Sequence, residues 1–242
     1  MKRFTAPAAI AGLLALSLAS HLWAGSNEAA ELDEASVQGF VDDWYRKQNH
    51  FVANRWLGVQ TLQNPLDAWI TQEIISEVRP DLILETGTYR GGSALLWAGI
   101  LEAITPDARV VTIDVENRTK KARKHPLWQR RVLFLKGSST APEIVARVRQ
   151  EARGRRVLVI LDSLHTREHV LKELELYAPL VPVGGYVVVQ DTGAGNPKFG
   201  NVSGAALAVV DFLAATDGFE RDRSRERFVL TNNPGGFLKR VK

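Results

Sequence analysis

Cysteine is absent from this chain of 242 residues, and histidine occurs only five times. A disulfide scaffold, a zinc–thiolate centre and a thiol nucleophile are thereby excluded, although the absence fits either redox compartment. With no cysteine and few histidines, the expected ligand set of a metal site is oxygen. Internal repeats and low-complexity tracts are also missing. So are aromatic residues interleaved with the basic clusters RTKKARKH (118–125), RGRR (153–156) and RDRSRER (221–227). Without a base-stacking platform these clusters read as solvated faces, and nucleic acid is not an expected partner. Charge of one sign is not in large excess: the net charge is +4, and Lys2 and Arg3 supply two of the positive charges. What is there is an ordinary globular composition, 45% hydrophobic and 24% charged. It suffices for one good core, with two small domains as the upper limit.

The chain opens unlike the rest. Lys2 and Arg3 precede the apolar stretch Ala6–Ser20, and a polar, acidic segment follows Ala24. A charged start, an apolar run of secretory length and a small residue at Ala24 fit a signal peptide, though Leu22 is large for a cleavage site. Counted on to Trp23, the run approaches spanning length, so an uncleaved anchor fits as well. The expectation is therefore a signal peptide or membrane anchor over residues 1–24, a linker over 25–36 and one domain over 37–242. Export or membrane association follows from the leader; a soluble N-terminal helix on a cytoplasmic protein is the alternative. Self-association into a homo-oligomer is left open.

Beyond the linker, Val37, Phe40, Val41 and Trp44 share one helical face. Pro65 and Pro80 bound a second helix with a stripe of Trp69, Ile70, Ile74, Ile75 and Val78. Strands and helices then alternate. DLILE (81–85), ARVVTID (108–114), RVLFLKG (131–137), RVLVILD (156–162) and GYVVVQD (185–191) read as strands. Helices are expected over 91–104, 142–152, 166–180 and 203–216. The strands RFVLT (227–231) and GFLKRVK (236–242) flank the turn signal NNPGG and predict a closing hairpin. Alternation of this kind implies parallel strands joined by right-handed crossovers. The expected fold is α/β and Rossmann-like: a seven-stranded, mostly parallel sheet with a C-terminal antiparallel hairpin and helices on both faces. Ligands of such sheets bind at the carboxyl ends of the strands. Those ends are Glu85, Asp114, Gly137, Asp162 and Asp191, mostly acids that a strand end does not need for stability.

The stretch LILETGTYRGGSALLWA (82–98) holds a glycine loop between a strand and a helix. A dinucleotide fingerprint would read G-x-G-x-x-G and face a pyrophosphate. Here Gly87 and Gly91-Gly92 are spaced differently, and Glu85 stands just before the loop. A carboxylate there repels pyrophosphate and suits a cation or amine. S-adenosylmethionine carries an ammonium and a sulfonium, and Asp114 at the end of the second strand can accept from its ribose diol. A loop whose glycines only make a tight turn is the bland alternative.

The stretch NPLDAWITQEIISEVRPDLILETGTYRGGSALLWA resembles the cephalosporin hydroxylase and rhamnosyl O-methyltransferase family, a branch of the class I methyltransferases. So do RWLGVQ (55–60), DSLHTREHVLKELELYAPLVPVGGYVVVQDT (162–192) and the C-terminal GGFLKRV. The resemblance runs from about Arg55 to the end. It implies S-adenosylmethionine as cofactor, with contacts at Glu85, Gly87, Thr88, Tyr89, Gly91, Ser93, Asp114 and the Gly137-Ser138-Ser139 loop. It also implies a divalent metal at the ends of the fourth and fifth strands.

That metal can be argued from the residues. Asp162 and Asp191 close consecutive apolar strands, and backbones of neighbouring strands lie about 5 Å apart. Two bare carboxylates so close repel unless they share a proton or a cation. An oxygen set suits Mg²⁺ completed by water and substrate oxygens, and Gln190 can add a carbonyl. Family members usually carry an acid where Gln190 stands. His165, three residues past Asp162, is the candidate general base for a hydroxyl acceptor; related catechol-type enzymes use a lysine there. His169, one helical turn on, orients His165 or the substrate. The segment TGAGNPKFGN (192–201) is expected to cover the acceptor. The reading that follows is an S-adenosylmethionine-dependent, Mg²⁺-assisted O-methyltransferase acting on a sugar, glycolipid or secondary metabolite. The alternative is a binding protein of the same fold that has lost turnover.

Overall fold

The structure, a computed structural model, describes residues 52–193, 203–228 and 230–242, together with Gly39 and Asp43, both helical. Met1–Phe40 and Val41–Lys242 are separate compact units, and the fold below is that of the second. The expected leader (1–24), the linker (25–36), the rest of the first amphipathic helix and residues 194–202 of the covering loop lie outside the described residues. No described helix is long and apolar enough to cross a membrane.

A short antiparallel hairpin, β1 (Arg55–Trp56) and β2 (Val59–Gln60), comes first. Helix α1 (Pro65–Val78) starts where the sequence places it, with Pro65 in the first turn and the Asn64 side chain accepting from the Leu66 amide. It ends at Arg79, in the left-handed region before Pro80. Strand β3 (Leu82–Thr86) and helix α2 (Gly92–Ile104) form the first crossover. Next come β4 (Arg109–Asp114), a short helix α3 (Pro126–Arg131), β5 (Val132–Lys136) and α4 (Pro142–Ala152). Then β6 (Val157–Leu161), α5 (Arg167–Tyr177), β7 (Tyr186–Val189) and α6 (Gly204–Ala215) complete the alternation. The last strands are β8 (Phe219–Arg221) and β9 (Phe237–Arg240).

The seven-stranded sheet has the order β5-β4-β3-β6-β7-β9-β8. β3 to β7 are parallel, and β9 runs antiparallel to both its neighbours. Order reverses between β3 and β6, which opens a crevice above their carboxyl ends. Side chains alternate across the sheet. Leu82, Leu84, Val157, Val159 and Val187 pack with α4, α5 and α6 on one face; Ile83, Val110, Leu158, Ile160 and Val188 pack with α1, α2 and α3 on the other. Burial on both faces is why these strands read as unbroken apolar runs.

The closing hairpin differs from the expectation. β9 pairs with β8 at 219–221, and the described residues 227, 228, 230 and 231 form no strand. The buried carboxylate of Asp67 on α1 explains the difference: it accepts from Thr231 Oγ1 at 2.5 Å and from the Asn232 amide at 2.7 Å. The end of the expected strand and the first residue of the turn are thus held on α1, and Leu230 is buried. The sequence reading also lacks α3, whose His125 ring accepts from the Leu127 amide and whose Pro126 opens the first turn.

Candidate active site

A cavity of about 700 Å³ lies over the carboxyl ends of β3 to β7. The loop after β3 makes its floor. Gly87 has φ +87°, and a Cβ there would stand 1.8 Å from the Asp162 carbonyl oxygen. Gly91 has φ +82° and would meet Trp128 at 2.5 Å. Both positions therefore need glycine, because the chain turns left-handed and passes against a neighbour. Tyr89, itself at φ 48°, donates its amide to Asp114 Oδ2 at 2.7 Å. The other Asp114 oxygen accepts the Glu116 amide at 2.9 Å. Thr88 is held by Thr112 at 2.6 Å.

Of the expected cofactor residues, Gly87, Thr88, Tyr89, Ser93, Asp114, Ser138 and Ser139 line this cavity. Glu85 and Gly91 do not. The Glu85 carboxylate is buried, accepting from Trp97 Nε1 at 3.0 Å and Thr112 Oγ1 at 2.6 Å. Burial pushes it up to about 7, against hydrogen bonds from Thr112, Ser93 and Trp97. Ser93 is thus the link between Glu85 and the cavity.

On the opposite wall, Asp162, His165 and Asp191 converge, with one ligand atom from each lying within 4.8 Å of the others. His165 Nε2 is 3.7 Å from Asp162 Oδ1 and 3.5 Å from Asp191 Oδ2. Burial first, then the charges of Asp191 and Glu85, hold the Asp162 carboxyl well above the usual carboxylate range. Two acids brought together and desolvated are a site deficient in positive charge, which is what a divalent cation would fit. Asp191 sits at φ 57°; its amide donates to Asn233 Oδ1 at 2.9 Å and its carbonyl accepts from Ser203 Oγ at 2.6 Å. Gln190 is different. Its side chain is buried without lining the cavity, and its Nε2 has no hydrogen-bond partner.

Three supporting residues escaped the sequence reading. Gln63, just ahead of α1, donates Nε2 to Asp162 Oδ2 at 3.0 Å. Asn233, in the turn before β9, fixes the Asp191 amide. Glu173 is fully buried on α5 and accepts from Ser139 Oγ at 2.5 Å and Ser163 Oγ at 2.8 Å. His169 Nε2 is 3.3 Å from Glu173 and 3.1 Å from Ser139 Oγ, and the Glu173 bond raises the imidazole above its ordinary value. So His169 belongs to the Ser139 loop rather than pairing with His165. Only the four-residue helical spacing of His169 and Glu173 signals this in the sequence.

A strand order reversing at the switch point, a glycine loop after β3, an acid after β4 and a ligand-sized cavity above them define a Rossmann-like, class I S-adenosylmethionine-dependent methyltransferase. Residues 48–241 match the family described as Rhamnosyl O-methyltransferase/CmcI, and the chain belongs to that family. A rhamnosyl O-methyltransferase of Mycobacterium tuberculosis is 34% identical over 207 residues, covering 81% of this chain and 82% of that protein. The Mycobacterium leprae protein of the same name is 33% identical over 207 residues, covering 81% and 87%. Among solved structures, CmcI with Mg and S-adenosylmethionine superposes with a TM-score of 0.60 at 20% identity, covering 80% of this chain and 78% of that one. An O-methyltransferase from Bacillus cereus with S-adenosylhomocysteine gives 0.51 at 16% identity, covering 79% and 84%. At these identities the structures speak for the fold. The chain is an S-adenosylmethionine-dependent O-methyltransferase by family.

Proposed function

We propose that the enzyme methylates a hydroxyl of a sugar, carried on a glycolipid or secondary metabolite, with help from Mg²⁺. The observation that supports this most is the placement of His165 Nε2 between Asp162 and Asp191 at 3.7 and 3.5 Å, in the cavity lined by the glycine loop. The sugar comes from the rhamnosyl substrate in the names of the mycobacterial relatives.

The roles follow from the groups present. Gly87, Thr88, Tyr89, Ser93, Asp114, Ser138 and Ser139 hold the methyl donor, with Glu85 acting through Ser93. Asp162 and Asp191 hold the cation, and Gln63 fixes the Asp162 carboxylate. Bound there, S-adenosylmethionine supplies an electrophilic methyl group and Mg²⁺ a Lewis acid that lowers the acceptor hydroxyl's pKa. His165 would take the hydroxyl proton as the oxygen bonds the methyl carbon and the carbon–sulfur bond of the sulfonium breaks, releasing S-adenosylhomocysteine, and the two carboxylates would stabilise the imidazolium. His165 is near enough to be a third ligand, but the oxygen preference of Mg²⁺ leaves the imidazole for the proton.

Methyl transfer to a rhamnoside, followed with labelled S-adenosylmethionine, tests this. Turnover should fall on chelation and drop about 10²- to 10⁴-fold in His165→Ala, the range for losing a general base. Equal turnover in that variant would refute the assignment. One observation favours a second reading, a binding protein without turnover: the Gln190 side chain, where the family resemblance implies an acid, is buried outside the cavity and its Nε2 has no hydrogen-bond partner. Tight donor binding with no methylation across sugar acceptors would decide for it. Export or anchoring through residues 1–24 is proposed on the leader pattern alone, and the mass of the mature N-terminus from fractionated cells tests it.

A further inference from the structure

A second cavity, of about 710 Å³, lies beside the first. Among the described residues its walls carry six cationic side chains, Arg55, Arg90, Arg118, Lys120, Lys121 and Lys124, and no carboxylate. They come from three separate segments: the β1–β2 hairpin, the glycine loop after β3 and the chain following β4. The segments are tied together, since Lys121 Nζ donates to the Gly58 carbonyl at 2.6 Å.

Elsewhere in the molecule several guanidiniums are matched to acids. Arg130 and Arg131 share Glu102, Arg156 pairs with Asp81, Arg167 with Asp211 and Arg225 with Glu77. Among the described residues of the second cavity only Arg118 has such a partner, Glu116 at 2.6 Å. Among the described residues, Arg55, Arg90, Lys120 and Lys124 pair with no carboxylate. Converging like charges raise one another's energy and focus a positive potential in a concave site. The cavity also touches the methyl-donor site. Gln60 lines both, and the Tyr89 ring, which lines the first, is faced by Arg90 at 5.4 Å and Arg118 at 5.7 Å.

We propose that this cationic cavity is a second ligand site, taking a small molecule that bears a diphosphate or larger phosphate group. Arginine forks and lysine point charges together suit clustered phosphate oxygens. The concave shape and small-molecule volume favour a soluble ligand over a membrane surface.

Calorimetric titration of the full chain with inorganic pyrophosphate tests the site. Saturable binding should appear, weaken as salt rises, and fall about tenfold or more in Lys120→Gln/Lys124→Gln, the loss expected for charge-assisted contacts. S-adenosylmethionine affinity of that variant should stay unchanged, which keeps failure of this site distinct from failure of the methyltransferase reading. Absence of saturable binding, or equal binding by the variant, overturns the proposal. So does binding of anionic phosphatidylglycerol vesicles by a chain that ignores pyrophosphate, because that would be a membrane-facing patch.

Discussion

Glu85 shows how a single residue can be recognised for its chemistry and misplaced in space. Its position at a strand end marks it as functional, yet its carboxylate turns away from the cavity toward Trp97 and Thr112. Those partners lie on α2 and β4, and no local pattern ties them to it. The consequence is measurable. Burial raises the group from an ordinary 4.5 to about 7, so the folded protein holds it neutral over a range where the unfolded chain ionises it. The desolvation penalty is therefore absent below about pH 4 and complete above about pH 7. Glu85→Gln should leave stability unchanged at about pH 4 and increase it above pH 7, by about 3 kcal/mol at most. Denaturant unfolding at the two pH values checks the sign. Asp162 and His165 were legible for a simpler reason: both follow β6, and three residues of chain suffice to bring them together.

At the scale of elements, strand–helix alternation was readable because each run carries its own period and punctuation. Pairing partners were not. Residues 227–231 have a strand's composition, but Asp67 captures Thr231 and Asn232 instead. Asp67→Ala should cost about 2–4 kcal/mol, from two donors losing a buried acceptor. It should also weaken cation binding, because the same turn carries Asn233 onto the Asp191 amide. Unfolding curves and a Mg²⁺ titration read the two effects. Gly92 opens α2, where alanine is intrinsically better by about 1 kcal/mol. A Cβ there would stand 2.1 Å from the Gln60 carbonyl oxygen, so Gly92→Ala must displace the segment after β2. The expected outcome is a net loss of about 1–3 kcal/mol, with weaker S-adenosylmethionine binding by calorimetry. A stabilised variant would show that the close approach does not matter.

For the whole molecule, the proposed cation site predicts that stability depends on a cation. Asp162 lies well above the usual carboxylate range because it is buried and, next, because Asp191 and Glu85 are close to it. Mg²⁺ at a hundred times its dissociation constant should stabilise the fold by about 2.7 kcal/mol. That corresponds to about 5–10 °C in Tm for a chain of this size. Asp162→Asn should raise the metal-free Tm while abolishing the Mg²⁺ shift; a shift that survives in the variant would place the cation elsewhere.

The sequence by itself determined the α/β alternation, the buried sheet, the glycine loop and the acids at the strand ends. These are properties of short stretches, where apolar spacing and turn chemistry act over a few residues. Only the tertiary structure decided which of these groups meet. Gln63 reaches Asp162 across 99 positions and Asp67 reaches Asn232 across 165. Glu85 withdraws behind Ser93, and six cations from three segments close one cavity. Such contacts depend on how packed layers bring distant segments together, and no residue's neighbours in the chain encode them.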